Sequence, residues 1–259
     1  MEVGQCENGH FYDRDKYAAC PWCHPGRSFS LDDLCRGRSV SILGDSIGTY
    51  AGVNPPGYQV FYEMDACADA GLRSVTQTWW HILIRALNAK LCVNASYSGR
   101  KVSGKAPHAG WKPESIKALC TADILPDVVI VWLGVNDMGY GVPVWGKNRS
   151  EADADCFFGA YDRMLMNLRT AYPKSVIICG TLIKTYLRDQ SWWTYPEVYA
   201  RRLQLLNQVI REKAVKYRVW TADLERTGMI YESMDGTHPT VRGHAEIAKA
   251  WEMALQNRC

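Results

Sequence analysis

Short runs of apolar residues alternate along the chain with segments in which apolar residues recur every three or four positions. Five of the runs are rich in β-branched residues and end near glycine or a polar residue, as buried β-strands do. They are RSVSILG, LCVN, PDVVIVWLG, KSVIICGT and YRVWTA. Such uninterrupted runs are typical of parallel strands that are covered on both faces.

Segments with helical periodicity lie between these strands. The predicted helices are TWWHILIRALNAK, CFFGAYDRMLMNLRTAY, a long helix from about Pro196 to Lys216, and PTVRGHAEIAKAWEMALQ. In the first, Trp79, Ile82 and Leu83 share one helical face, and the last is opened by Pro239. The alternation of strands and helices predicts an α/β fold with a mostly parallel five-stranded sheet, helices on both faces, and ligands at the carboxyl ends of the strands.

Composition narrows the class of protein. The chain has 259 residues and is 47% hydrophobic, which suits one medium α/β domain with a small appendage. Its net charge is only +3 and it has no long run of Lys or Arg, so the charge does not indicate binding to nucleic acid. The chain shows neither an apolar signal segment nor a stretch of the roughly 18 to 20 apolar residues that a membrane span needs. A cytoplasmic protein without a membrane partner, in which most cysteines are reduced, is therefore expected.

The first thirty residues are predicted to be a separate unit, with residues 31–37 as a linker and the main domain over residues 38–259. Only turns are expected around four candidate metal ligands in this unit. The candidate ligands are Cys6, His10, Cys20 and Cys23. The C-x-x-C spacing lets two thiolates from one turn reach the same tetrahedral ion, and the other two residues would complete the set.

A bound zinc ion would be the main source of folding energy for so short a segment, because it cannot bury enough apolar surface. His24 competes with His10 as the fourth ligand, and a redox C-x-x-C or a disulfide is the alternative to zinc. In CENGHFYD and CPWC the segment resembles the zinc-ribbon-like N-terminal modules of some bacterial multidomain proteins. Four protein ligands leave no open coordination position, so the predicted zinc is structural, and the segment is a candidate for binding a protein partner.

Polar groups follow four of the predicted strands. Ser46 follows the first strand in SILGDSIGTY, Gly99 ends NASYSG after the second, and Asn136 lies in GVND after the third. Asp235 and His238 lie in MDGTHPT, after the fifth strand. The carboxyl ends of parallel strands meet at one edge of a sheet, so these groups are expected to lie close together.

This set contains each group that serine-dependent ester hydrolysis requires. Ser46 would be the nucleophile, His238 the base that takes its proton, and Asp235 the group that orients the base. The backbone N–H groups of Ser46 and Gly99 and the side-chain amide of Asn136 would stabilise the oxyanion.

Each of these residues also has an ordinary structural interpretation. Ser46 could lie in a simple glycine-rich turn, and Asn136 and Asp137 could cap a helix. Asp235 and His238 could form an Asx-turn before the proline that starts a helix.

Other conspicuous side chains are expected to be structural. His81 and His244 lie within predicted helices. At least one of the tryptophans in TWW is expected to pack its helix on the sheet. His108, in a loop near the second block, is a candidate for lining the substrate pocket.

Taken together, GDSIG, the glycine of SYSG, GVND and DGTH resemble the four blocks of the SGNH (GDSL-type) hydrolases, in order and across the main domain. This resemblance implies a flavodoxin-like three-layer α/β/α sandwich, a catalytic triad of Ser46, His238 and Asp235, an oxyanion hole formed by Ser46, Gly99 and Asn136, and no cofactor for turnover. The α/β-hydrolases also use G-x-S-x-G, but their serine follows several strands and their acid lies well before the histidine. Neither feature is found here.

The loops near the predicted site are rich in Gly, Pro, Tyr and Trp, and aromatic rings with polar edges suit the faces of sugars. We therefore expect a serine esterase that removes O-acetyl groups from a carbohydrate. The alternatives are a short-chain acyl esterase or thioesterase, a lysophospholipase-like hydrolase, and a non-catalytic module that binds a partner through the zinc segment.

Overall fold

The computed structural model describes residues 3–5, 11–13, 35–150, 152–188, 190 and 197–256. The strands are β1 (Val3–Gln5), β2 (Phe11–Asp13), β3 (Ser39–Gly44), β4 (Lys90–Asn94), β5 (Val128–Trp132), β6 (Val176–Gly180), β7 (Thr185–Leu187), β8 (Trp220–Ala222) and β9 (Tyr231–Ser233). The helices are α1 (Met64–Ala70), α2 (Trp79–Ala86), α3 (Pro113–Lys117), α4 (Val135–Gly139), α5 (Phe157–Ala171), α6 (Glu197–Tyr217) and α7 (Val241–Gln256).

The five strands predicted from the apolar runs form one parallel sheet in the order β4-β3-β5-β6-β8. All five residues of β5, at the centre, are buried, which explains why that strand is apolar throughout. The order is that of a flavodoxin-like doubly wound fold, and the predicted fold class is confirmed. The order in which successive strands are added to the sheet reverses between β3 and β5, and ligands in such folds bind outside the carboxyl ends of the strands at that point.

Helices flank the sheet in two packed pairs, α2 with α7 and α5 with α6. Three buried tryptophans hold the first pair on the sheet. Trp79 of α2 stacks on Trp251 of α7 with ring centroids 5.7 Å apart, and Trp132 of β5 meets Trp79 edge-on at 5.3 Å. Trp80 is buried as well, so both tryptophans of the predicted TWW helix belong to the core.

Several short elements were not predicted. Strands β7 and β9 form a separate parallel pair, in which Thr185 is opposite Tyr231. The last helix begins at Val241, two residues after the proline that was expected to open it.

The expectation of turns alone in the N-terminal segment is wrong, because β1 and β2 pair antiparallel there. Cys6, His10, Cys20 and Cys23 lie outside the described residues. Cys35, which the sequence places in the linker, is 1% exposed and packs in the main core. Among the helices of the described chain, none has both the length and the apolar character that crossing a membrane requires.

Candidate active site

Ser46 lies where β3 ends and a 3-10 turn, Ser46–Gly48, begins. The side chain of Asp45 caps this turn by accepting a hydrogen bond of 3.0 Å from the N–H of Ile47. The hydroxyl of Thr49 donates to the carbonyl of Ser46 at 2.8 Å. The turn therefore fixes Ser46 at the carboxyl end of a buried strand, directly at the point where the sheet order reverses.

The glycines around Ser46 allow the second sequence block to approach. A Cβ atom on Gly44 or Gly48 would lie only 2.6 or 2.4 Å from Oγ of Ser96. The carbonyl of Gly44 also accepts a hydrogen bond of 3.2 Å from the N–H of Tyr97. A side chain at either glycine of GDSIG would therefore displace the hydroxyl of Ser96, which lies in the segment that leads to Gly99.

His238 bridges Ser46 and Asp235. Its Nε2 lies 3.0 Å from Oγ of Ser46, and its Nδ1 lies 2.6 Å from Oδ2 of Asp235. A carboxylate accepts the hydrogen of Nδ1, so the lone pair of Nε2 faces the serine hydroxyl. This is the geometry in which an imidazole can remove the proton of a serine as it attacks a carbonyl.

The two oxygens of Asp235 have different roles. Oδ1 accepts the N–H groups of Thr237 and His238 at 2.9 and 2.8 Å and forms an Asx-turn, while Oδ2 binds the imidazole. The Asx-turn and the contact with the imidazole are therefore compatible, because they use different oxygens of one carboxylate. Burial acts to raise the pKa of Asp235, but the hydrogen bonds from the side chain and backbone of His238 outweigh it and lower the pKa to about 2. The carboxylate is ionised at neutral pH.

The segments that carry Gly99 and Asn136 are in contact although 37 positions separate the two residues in sequence. Gly99 has a φ of +74°, a conformation that favours glycine. The side-chain amide of Asn136 donates a hydrogen bond of 2.9 Å to the carbonyl of Arg100. An amide has two N–H donors, so this bond leaves the other available for an oxyanion.

Arg100 joins the three segments around Gly99. Its guanidinium is completely buried and donates to the carbonyls of Gly44, at 3.1 Å, of His108, at 2.8 Å, and of Ala95. Burial lowers the pKa of Arg100 to about 10, and the group remains cationic at neutral pH. The sequence did not predict this role, because Arg100 lies in a loop and a loop has no periodic pattern that would show which side chain is buried.

Asp137 does not cap the helix on which it lies. The N-cap of α4 is Gly134, and the carboxylate of Asp137 accepts the backbone N–H groups of Val102 and Ser103 at 2.7 and 3.1 Å. Burial raises the pKa of this carboxyl. Asp137 thus fastens the loop that follows Gly99 to the helix that carries Asn136.

The other histidines lie outside the triad. His244 is fully buried and accepts the backbone N–H of Trp79 at 3.2 Å, which is a structural role. His108 stacks on Tyr97, two residues before Gly99, with ring centroids 4.1 Å apart. His81 is partly buried on α2. Within the described part of the chain, no group of three or more His, Cys, Asp or Glu side chains is arranged to hold a metal ion.

Solved structures with the same fold include a candidate GDSL-like lipase of Bacteroides ovatus. Its sequence is 23% identical, the alignment covers 84% of this chain and 97% of that chain, and the TM-score is 0.60. A second one, of Bacteroides uniformis, is 24% identical over 83% of this chain and 93% of its own, with a TM-score of 0.60. The acetylxylan esterase Axe2 of Geobacillus stearothermophilus is 18% identical over 86% of this chain and 95% of its own, with a TM-score of 0.53. At these identities the likeness is one of fold.

A search of curated proteins found no match. The family model of the GDSL-like lipase/acylhydrolases matches residues 38–254, which include every residue of the candidate active site. The chain belongs to the GDSL-like lipase/acylhydrolase family.

Proposed function

We propose that this protein is a serine esterase that removes O-acetyl groups from a carbohydrate. The observation that carries the proposal is the continuous hydrogen-bonded path from Asp235 through His238 to Oγ of Ser46. A hydroxyl is a weak nucleophile until a base accepts its proton, and this path supplies the base and its orienting group.

In the proposed reaction, Nε2 of His238 takes the proton of Ser46 as Oγ bonds to the ester carbonyl carbon. The carbonyl oxygen becomes an oxyanion, to which the N–H groups of Ser46 and Gly99 and the amide of Asn136 donate. Collapse of this intermediate breaks the bond to the sugar oxygen, which leaves with the proton from Nε2. Water then attacks the acetyl-serine by the same route, acetate departs, and Ser46 is regenerated. Asp235 stabilises the imidazolium at each stage.

The exposure of the proposed triad supports an ester whose alcohol part is bulky and polar, such as a sugar. The side chain of Asp235 is 49% exposed and that of His238 17%. Tyr140, one helical turn after Asn136, is 72% exposed. Exposed aromatic rings with polar edges suit sugars, and Axe2 is an example of an acetylxylan esterase with this fold.

Hydrolysis of p-nitrophenyl acetate tests the reaction class. Ser46→Ala should lose activity by about 10³-fold or more, because the nucleophile is absent. Ser39→Ala is the matched control, because Ser39 lies at the amino end of the same strand. A wild-type protein as inert as Ser46→Ala would contradict an esterase and favour a binding module.

A substrate panel tests the acetyl-sugar part of the proposal. Acetate release from acetylated xylo-oligosaccharides is compared with cleavage of p-nitrophenyl octanoate, with Ser46→Ala as the background. We expect the acetylated sugars to be the better substrates. Efficient cleavage of octanoate without acetate release from sugars would indicate an acylhydrolase for lipids or acyl carriers instead.

A further inference from the structure

The ring of Phe61 lies flat against the imidazole of His238. The ring centroids are 3.5 Å apart and the two planes differ by 5°. Two neutral aromatic rings prefer offset or edge-on arrangements, whereas a cation is attracted to the face of an aromatic ring. The face-on contact is therefore better suited to the imidazolium that forms during turnover than to the neutral imidazole.

The backbone of Phe61 is tied to the serine turn. Its N–H donates to the hydroxyl of Thr49 at 2.9 Å, and that hydroxyl donates to the carbonyl of Ser46 at 2.8 Å. These two hydrogen bonds fix the backbone of Phe61 relative to the turn that carries Ser46.

The next residue ties the same segment to the histidine loop. Tyr62 is completely buried, and its hydroxyl donates a hydrogen bond of 2.7 Å to the carbonyl of Pro239, which follows His238. The carbonyl of Tyr62 accepts the N–H of Ala51 at 3.0 Å. The pair of residues at 61 and 62 therefore joins the two loops that must meet for Nε2 to reach Oγ.

We propose that Phe61 is a positioning residue for ester hydrolysis, whose ring keeps the imidazole of His238 in the plane that directs Nε2 at Ser46 and stabilises the imidazolium. This inference rests on the proposed function. An interaction that strengthens only when charge develops lowers the barrier of the chemical step and leaves substrate binding unchanged. Phe61 therefore acts on kcat and not on KM.

Substitution at this position separates a positioning role from a structural one. Phe61→Leu should lower kcat for p-nitrophenyl acetate by about 3- to 30-fold with KM nearly unchanged, the range expected for loss of a cation–π contact. Phe61→Tyr keeps the ring face and should retain kcat. Phe158→Leu is the matched control, because Phe158 is a buried ring of α5 beside Lys213 and should affect melting temperature without affecting kcat.

Nuclear magnetic resonance tests the contact between the rings of Phe61 and His238 independently of activity. The ring-proton signals of His238 are identified by their absence in the His238→Gln variant. In Phe61→Leu these protons should move downfield, because the ring current of Phe61 is lost, while Phe61→Tyr and Phe158→Leu should leave them in place. If the wild type hydrolyses the ester and Phe61→Leu matches it in kcat and in these resonances, the inference is overturned. If Phe61→Leu fails to fold, a Phe61→Tyr protein with low kcat and wild-type ring shifts would overturn it equally. A wild type that is inert, with intact ring shifts, would instead refute the proposed function.

Discussion

The carboxylate of Asp137 holds the backbone N–H groups of Val102 and Ser103, at 2.7 and 3.1 Å. Asp137 follows Asn136 on α4, and the two N–H groups belong to the loop that follows Gly99. The two segments that carry the proposed oxyanion donors are therefore joined by a side chain that is itself completely buried.

Removing this carboxylate should cost both stability and activity. Asp137→Ala leaves two buried N–H groups without an acceptor, and we expect the free energy of unfolding to fall by about 2 to 4 kcal/mol. A shift of roughly 1 Å between Gly99 and Asn136 would lower kcat by about 10²-fold. Urea denaturation and p-nitrophenyl acetate turnover measure the two effects.

Asp127→Ala is the control, because Asp127 accepts the N–H and hydroxyl of Ser39 at the opposite, amino end of the sheet. It should destabilise the protein without affecting kcat. Equal kcat in the Asp137 and Asp127 variants would show that Asp137 does not position the oxyanion donors.

Asp235→Asn should abolish most activity while preserving the local turn. The amide oxygen of asparagine can still accept the N–H groups of Thr237 and His238, whereas its NH₂ group replaces the acceptor at Nδ1 of His238. The imidazole then adopts the wrong tautomer, and kcat should fall by about 10³- to 10⁴-fold. An unchanged melting temperature with the lower kcat would establish this cause, and retention of kcat would show that Asp235 does not orient the base.

The sequence predicted the five strands of the main sheet because each has an obvious apolar run, and the candidate residues Ser46 and Asn136 come within a few positions of such a strand. Gly99 lies five positions beyond β4, and Asp235 follows β9, a strand that the sequence did not predict. The sequence did not predict Phe61 or Arg100, since both lie in loops, where no periodicity indicates which side chain turns inward. Asp137 was ambiguous for another reason. An aspartate after a strand commonly caps a helix, and only the fold shows that Val102 and Ser103 are its partners.

His244 illustrates a different limit. Helical periodicity placed it in the last helix, but its burial against Trp79 and Tyr62 depends on how α2 and α7 pack. The strands β7 and β9 were missed because three-residue strands carry too little pattern to be distinguished from a loop.

Burial gives His244 an effect on stability that depends on pH. It lowers the pKa of His244 to about 3, whereas a histidine in an unfolded chain titrates near a pH of about 6.5. Between these values the unfolded state binds a proton that the folded state does not. Stability should therefore be complete above about pH 6.5 and fall toward pH 3 by about 1.4 kcal/mol per pH unit from this group.

His244→Asn removes the titrating group while its amide oxygen can still accept the N–H of Trp79. The free energy of unfolding of this variant should vary less between about pH 6.5 and 5 than that of the wild type, in a range where most carboxylates remain ionised. His81→Asn, on the partly buried face of α2, is the control and should change this slope less. Parallel pH profiles for the wild type and His244→Asn would contradict a neutral, buried imidazole.

The zinc site predicted for the N-terminal segment can be tested on the full chain. Metal analysis should find about one zinc ion per chain, and replacing Cys20 and Cys23 with serine should abolish binding, because these two thiolates are half of the tetrahedral set. His10→Ala or His24→Ala, whichever loses the metal, identifies the fourth ligand. Cys67→Ser, in the main domain, should retain it.

Turnover distinguishes a structural zinc from one that takes part in catalysis. A closed set of four protein ligands has no position for substrate or water, and every proton transfer in the proposed reaction passes through His238. Deleting residues 1–30 should therefore leave kcat for p-nitrophenyl acetate largely unchanged. A metal-free protein with an intact N-terminus would refute the site, and a loss of kcat in the truncated protein at unchanged melting temperature would show that the segment contributes to the active site.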